Sequence, residues 1–206
     1  MKVAVLVSGG GTNLQALLDA KAAGRLPEAE FVCVISNRKD AYALERAKAA
    51  GISAEVLSKR KFASSEEYDI ALRDLLLAKG AELVVLAGFL VVLGPAVLQA
   101  YRNRILNIHP SLIPSFCGDG AYGLRVHEMA LARGVKVTGA TVHFVDEGTD
   151  TGPILLQKAV AIHEGDTPES LQLRVMQEAE WQLLPKAVDL FSILKCRSIY
   201  LPSKIL

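Results

Sequence analysis

Short β-branched runs alternate with helical patterns through the first half of the chain, and this alternation constrains the fold more than any other feature. Val3 to Val7 reads as a strand. It is followed by the loop Ser8-Gly9-Gly10-Gly11-Thr12-Asn13 and a helix with Leu14, Leu17 and Leu18 on one face, which Thr12 or Asn13 can cap. Phe31 to Ser36 is a second strand, Tyr42 to Ala50 a helix ending at Gly51, and Ala54 to Leu57 a short third strand. Ser64-Ser65-Glu66-Glu67 reads as a capping box that opens a helix through Ile70, Leu72, Leu75 and Leu76, stopping at Gly80. Leu83 to Ala87 and Ile105 to Ile108 supply two more buried strands. The pattern predicts an α/β fold with a Rossmann-like, mostly parallel sheet covered by helices on both faces. Right-handed crossovers place the C-terminal ends of such strands on one edge, where ligands bind. The Ser8–Asn13 loop, the Gly88-Phe89 turn and the Asn107–His109 segment all follow strands, so they converge there.

The second half changes character. Lys136 to Val145 alternates, Ile154 to Ile162 is apolar, and the loop between them is too short for a crossover, which predicts an antiparallel hairpin. Thr167-Pro168-Glu169 starts a long helix that Pro185 should kink or split. No repeat or linker interrupts the chain. Residues 1–192 are expected to form a single domain, with 193–206 a C-terminal tail outside the pattern.

Composition narrows the function classes. With 23 basic and 22 acidic side chains, the chain has no excess charge to attract nucleic acid or a membrane surface, and neither is expected as a partner. The most apolar stretch, Leu83 to Leu98, falls short of the roughly 18 to 20 residues of a membrane span, and Gly94-Pro95 interrupts it. No targeting segment is visible. Cys33, Cys117 and Cys196 cannot all pair, and the four histidines and three cysteines lack zinc-like spacing. A reduced cytoplasmic protein without a metal, monomeric or homodimeric, is the expectation.

Two segments carry chemistry. The triplet Gly9-Gly10-Gly11 lies between a strand and a helix, so backbone N–H groups and a positive dipole end can meet an anion. Leu14 stands where a dinucleotide fingerprint has its third glycine, and no Walker lysine is present. A single phosphate is therefore the better ligand, against the plain alternative of a tight turn. Asn107 and His109 share one side of their strand, with Ile108 facing away into the core. An amide and an imidazole side by side can both reach one oxygen, as acyl transfer requires of its developing oxyanion. An imidazole that must become cationic needs a carboxylate, and the loop from Asp146 to Pro153 offers Asp146, Glu147 and Asp150 without distinguishing them. His143, on a strand face with Val137 and Val145, reads as a buried structural histidine. His127 reads as mobile and solvent-exposed.

Five ordered motifs carry a family resemblance. They are Ser8 to Ala16, Leu86-Ala87-Gly88-Phe89, Asn107 to Pro114, Thr141-Val142-His143-Phe144-Val145 and Asp150-Thr151-Gly152-Pro153-Ile154. Together they resemble the phosphoribosylglycinamide formyltransferases, folate-dependent enzymes of purine synthesis, from about Met1 to Phe191. The resemblance implies that the amine of glycinamide ribonucleotide attacks the formyl carbon of 10-formyltetrahydrofolate, the co-substrate. It assigns Asn107 and His109 to the tetrahedral oxyanion and Asp150 to pairing with His109 and relaying the amine's proton. It assigns Gly10, Gly11, Thr12 and Asn13 to the substrate phosphate, Glu180 to the ribose hydroxyls and Gln177 to the phosphate side. The folate would lie along Leu90, Val91, Val92 and Leu93 and against Val145, Asp146 and Glu147. This chain departs from the family where Leu90-Val91 replaces the common Met-Arg, in a longer Cys117–Gly123 loop, and in its ending from Ile193. Methionyl-tRNA formyltransferases and formyltetrahydrofolate deformylases share the Asn-x-His segment, but carry further domains for which this chain shows no counterpart.

Overall fold

The computed structural model describes residues 1–196, and the part of the expected tail beyond Cys196 lies outside them. Seven strands form one sheet: β1 (Lys2–Val7), β2 (Glu30–Ser36), β3 (Ala54–Val56), β4 (Leu83–Leu86), β5 (Ile105–His109), β6 (Val137–Phe144) and β7 (Ile154–Ala161). Their order is β3-β2-β1-β4-β5-β6-β7. The first five run parallel, while β6 and β7 pair antiparallel, as the short loop between them requires. Strand order reverses between β1 and β4, so the loops after these strands diverge to opposite faces and leave a crevice at the carboxyl edge.

The helices are α1 (Thr12–Ala22), α2 (Ala43–Ala49), α3 (Ser65–Ala78), α4 (Pro95–Ala100), α5 (Leu124–Arg133), α6 (Pro168–Val175) and α7 (Trp181–Cys196). Strand alternation divides the core between the two sheet faces. Val3, Val5, Val7, Leu106 and Ile108 pack on one side with α1 and α7, and Ala4, Leu6, Val84 and Ile105 on the other with α3 and α4. Asn107 and His109 therefore share the second side at its upper edge. Among the described residues, no helix is long and apolar enough to cross a membrane.

Several local expectations change. Neither Thr12 nor Asn13 caps α1; the N-cap is Gly11, in the left-handed region at φ 74°, and the Asn13 side chain is drawn elsewhere. Only half of the Ser64 box forms: Ser64 Oγ accepts from Glu67 N, but the Glu67 carboxylate accepts from Ala63 N, one residue before the cap. Pro185 does not split α7. The irregularity lies one turn upstream, in the π-helical turn Met176–Glu180, where the Gln182 side chain donates to the Gln177 carbonyl. The helix also runs on through the start of the expected tail, and Lys195 pairs with Glu82.

The six-residue α4 is too short for its periodicity to register. Its N-cap, Gly94, has no side chain, and α3 does the capping instead: buried Asp69 accepts from Gly94 N at 2.7 Å, Ala96 N at 2.8 Å and Val97 N at 3.3 Å. This junction fixes the Gly88–Leu93 strip over the crevice. Asp69→Ala should leave three amides unpaired and cost about 2 to 4 kcal/mol, measured by urea unfolding. An effect near zero would show that solvent satisfies those amides.

Candidate active site

The crevice is a cavity of about 480 Å³ at the carboxyl edge of the sheet. The glycine loop after β1, the Gly88–Leu93 strip after β4, the end of β5 and the β6–β7 loop all open into it. Ser8 Oγ accepts from Leu90 N at 2.9 Å, so the two loops that flank the strand reversal are tied together.

Asn107 and His109 stand on the cavity side of β5. Antiparallel pairing places His143 of β6 directly opposite Asn107. His143 Nδ1 donates to its neighbour's carbonyl, Phe144 O, at 2.8 Å, which leaves Nε2 facing the cavity. Asn107 Nδ2 lies 3.1 Å from that Nε2 and 3.5 Å from Asp150 Oδ1, so the three side chains form one cluster. His143 was expected to be only structural; its part here depends on a cross-strand register that no local pattern announces.

Beyond β5 the chain is bolted to the hairpin. Thr141 Oγ1 accepts from Ile113 N and donates to Ser111 O, and Gln157 reaches both Ile113 O and Thr141 Oγ1. At Phe116 the backbone turns through φ 52°, which aims the Phe116 carbonyl at His109 Nε2 from 2.9 Å and brings Gly118 N to Asp150.

Of the three acids in the hairpin loop, the structure turns only Asp150 inward. Asp146 accepts from Thr151 Oγ1 and Gly148 N at the surface, and Glu147 is exposed. Asp150 adopts φ 58°, a left-handed conformation that Asp tolerates better than most residues. Its Oδ2 lies 3.4 Å from His109 Nδ1 and 3.0 Å from Gly118 N, and its Oδ1 lies 3.5 Å from both Asn107 Nδ2 and His143 Nε2. Burial pushes its carboxyl up, but His143, His109 and the Gly118 N–H outweigh it and hold the pKa below the ordinary value. Burial lowers the His109 imidazole, while Asp150 and the Phe116 carbonyl, both acceptors, pull back toward the cation. A carboxylate, an amide and a poised imidazole thus meet in one cavity.

The far end of the cavity is built on the π-helical turn. Its extra backbone residue brings Glu180 and Met176 to the wall, and Glu180 Oε2 accepts from Asn13 Nδ2 at 2.6 Å. Gln177, expected on the phosphate side, is exposed in the π-helical turn and is not among the residues that line this cavity. Gly10, Gly11, Thr12 and Asn13 line this end, and Leu90 to Leu93 with Val145, Asp146 and Glu147 line the other. Leu90 and Val92 are well exposed there. His127 is not exposed, as expected, but wholly buried with Val126 and Ala130 on the inner face of α5. Burial and the nearby His109 push it down to about 4.

Burial pushes the Glu180 carboxyl up to about 7 from an ordinary 4.5. The folded chain therefore holds this proton more tightly than the unfolded chain does. The resulting stabilisation is intact below pH 4.5 and is lost as pH rises through 7, a change of about 3 kcal/mol. Glu180→Gln keeps an acceptor for Asn13 and should remove this dependence. Denaturant unfolding of both proteins at pH 5 and pH 8 measures it, and parallel curves would contradict the buried carboxyl.

Comparisons with known proteins agree on one family. The formyl transferase pattern matches residues 1–188. Phosphoribosylglycinamide formyltransferase of Haemophilus influenzae is 42% identical over 191 residues, 93% of this chain and 87% of that one. The human trifunctional purine biosynthetic protein adenosine-3 is 43% identical over 92% of this chain, which spans only 18% of that protein. Among solved structures, glycinamide ribonucleotide transformylase 1 from Symbiobacterium toebii superposes with a TM-score of 0.88 at 47% identity, covering 94% of this chain and 88% of that one. Phosphoribosylglycinamide formyltransferase from Bacillus halodurans gives 0.88 at 40% identity, covering 98% and 100%.

Proposed function

The chain belongs to the formyl transferase family, and from that premise we propose that it moves a formyl group from 10-formyltetrahydrofolate onto the amine of glycinamide ribonucleotide. The observation that carries the chemistry is the Asp150 carboxylate, 3.4 Å from His109 Nδ1 and 3.5 Å from Asn107 Nδ2 in one cavity.

The amine attacks the formyl carbon, a C–N bond forms, and the carbonyl electron pair moves onto oxygen. The Asn107 amide and the His109 N–H donate to that oxyanion, as preformed dipoles in a partly dry site. To do so, His109 Nε2 exchanges the Phe116 carbonyl for the reacting oxygen. Asp150 stabilises the imidazolium and takes part in moving the amine's proton towards the folate nitrogen. Collapse then breaks the bond between that nitrogen and the formyl carbon, releasing tetrahydrofolate.

The acceptor's phosphate lies at the glycine loop, its ribose hydroxyls at Glu180, and the folate along Leu90–Leu93 and Val145–Glu147. Val91 leaves that strip without an arginine, so apolar contact and backbone groups hold the folate. The ligands are small molecules at every subsite, in keeping with a chain whose 23 basic and 22 acidic side chains nearly balance.

Purified protein should convert the two substrates to formylated acceptor and tetrahydrofolate. His109→Ala and Asp150→Asn should each lower kcat/KM at least about 100-fold with the fold intact. Release of formate without acceptor would favour a hydrolase instead, and full turnover by the His109 variant would sink the catalytic assignment.

A further inference from the structure

The cavity wall is electrostatically one-sided. The residues that line it include Asp119, Asp146, Glu147, Asp150 and Glu180, and among the described residues no lysine or arginine lines it. A phosphate monoester near neutral pH nonetheless brings close to two negative charges. The helix dipole at the start of α1 offsets only a fraction of that.

The missing charge stands directly behind the glycine loop, on α2. Ala43 N donates to Gly9 O at 3.1 Å, and Arg46 Nε donates to Gly10 O at 2.8 Å. Gly11 lies so close to α2 that a Cβ there would fall 2.6 Å from the Ala43 Cβ. In a trans peptide the C=O and the following N–H point in opposite directions. Drawing the Gly9 and Gly10 carbonyls onto α2 therefore turns the Gly10 and Gly11 amides away from it, towards the cavity. The guanidinium is itself held in place. One terminal nitrogen donates to Gln15 Oε1 at 2.8 Å, and its carbon lies 5.0 Å from the Tyr42 ring centroid. Among the described residues, no carboxylate forms an ion pair with it.

The geometry points to Arg46 as the positioning residue of the phosphate subsite: it locks the Gly10–Gly11 peptide with its amides facing the acceptor and sets an unpaired positive charge one peptide unit behind them. The inference rests on reading this end of the cavity as the acceptor-phosphate site. A lysine would keep the charge, but it lacks the planar fork that holds Gly10 O and Gln15 together.

The test compares glycinamide ribonucleotide with the same acceptor lacking its phosphate, using wild type, Arg46→Met and Arg46→Lys. Arg46→Met should raise KM for the phosphorylated acceptor about tenfold, change kcat less than about threefold, and leave KM for the unphosphorylated acceptor unaltered. Arg46→Lys should fall between. A parallel measurement needs no turnover: inorganic phosphate should raise the thermal midpoint of wild type and raise that of Arg46→Met much less. If wild type transfers no formyl group but phosphate stabilisation still depends on Arg46, the functional reading fails while the anion site stands. Equal KM increases for both acceptors, or phosphate stabilisation undiminished in both variants, would overturn the role of Arg46. If Arg46→Met does not fold, Arg46→Lys carries both measurements.

Discussion

The Asp150 carboxylate holds together parts of the chain that are otherwise far apart in sequence. It faces His109 and Asn107 from the parallel half of the sheet, His143 from the antiparallel half, and the amide of Gly118 from the loop that closes over them. A buried carboxylate without such partners would take up a proton or draw in water. Here each partner supplies part of what burial removes, so the anion persists at the point where a neighbouring imidazole needs it. The left-handed turn at Asp150 is the backbone cost of that placement.

The sheet makes this meeting possible by combining two pairing modes. Parallel strands bring the glycine loop, the apolar strip and the Asn107–His109 pair to one edge, and the reversal between β1 and β4 opens a crevice there. The antiparallel hairpin of β6 and β7 then folds back so that its loop reaches the same edge. The two ends of the cavity differ accordingly. One is a set of backbone amides strapped from behind by α2, suited to an anion. The other is an exposed apolar strip with backbone groups, suited to a flat heterocycle. The poised imidazole lies between them, where a formyl group passing from a folate to an amine has to cross.

Much of this was legible in the sequence, because strand alternation and glycine placement are local signals. The five parallel strands, the hairpin, and the shared side of Asn107 and His109 follow from periods of two and from loop lengths. What escaped depends on non-local register or on departures from the regular period. His143 meets Asn107 only through antiparallel pairing. The choice of Asp150 over Asp146 and Glu147 depends on a left-handed backbone angle, and before the structure only family resemblance made it. The π-helical turn breaks the 3.6-residue period, and within it Met176 lines the cavity while Gln177, which the resemblance set on the phosphate side, does not. His127 follows a glycine-rich loop, which suggested exposure, but α5 turns it inward. Arg46 lies on a helix with no motif of its own, and only the contacts with Gly10 and Gln15 bring it to notice.

The coupling between Asp150 and His109 is the centre of the account and can be read directly. An NMR titration of the His109 ring in wild type and in Asp150→Asn isolates the contribution of the carboxylate to the imidazole. Burial alone lowers the imidazole and the carboxylate opposes it, so removing the charge should shift the His109 midpoint further down. An unchanged midpoint in a folded variant would mean that the carboxylate does not tune the imidazole, and the account would fail at its centre.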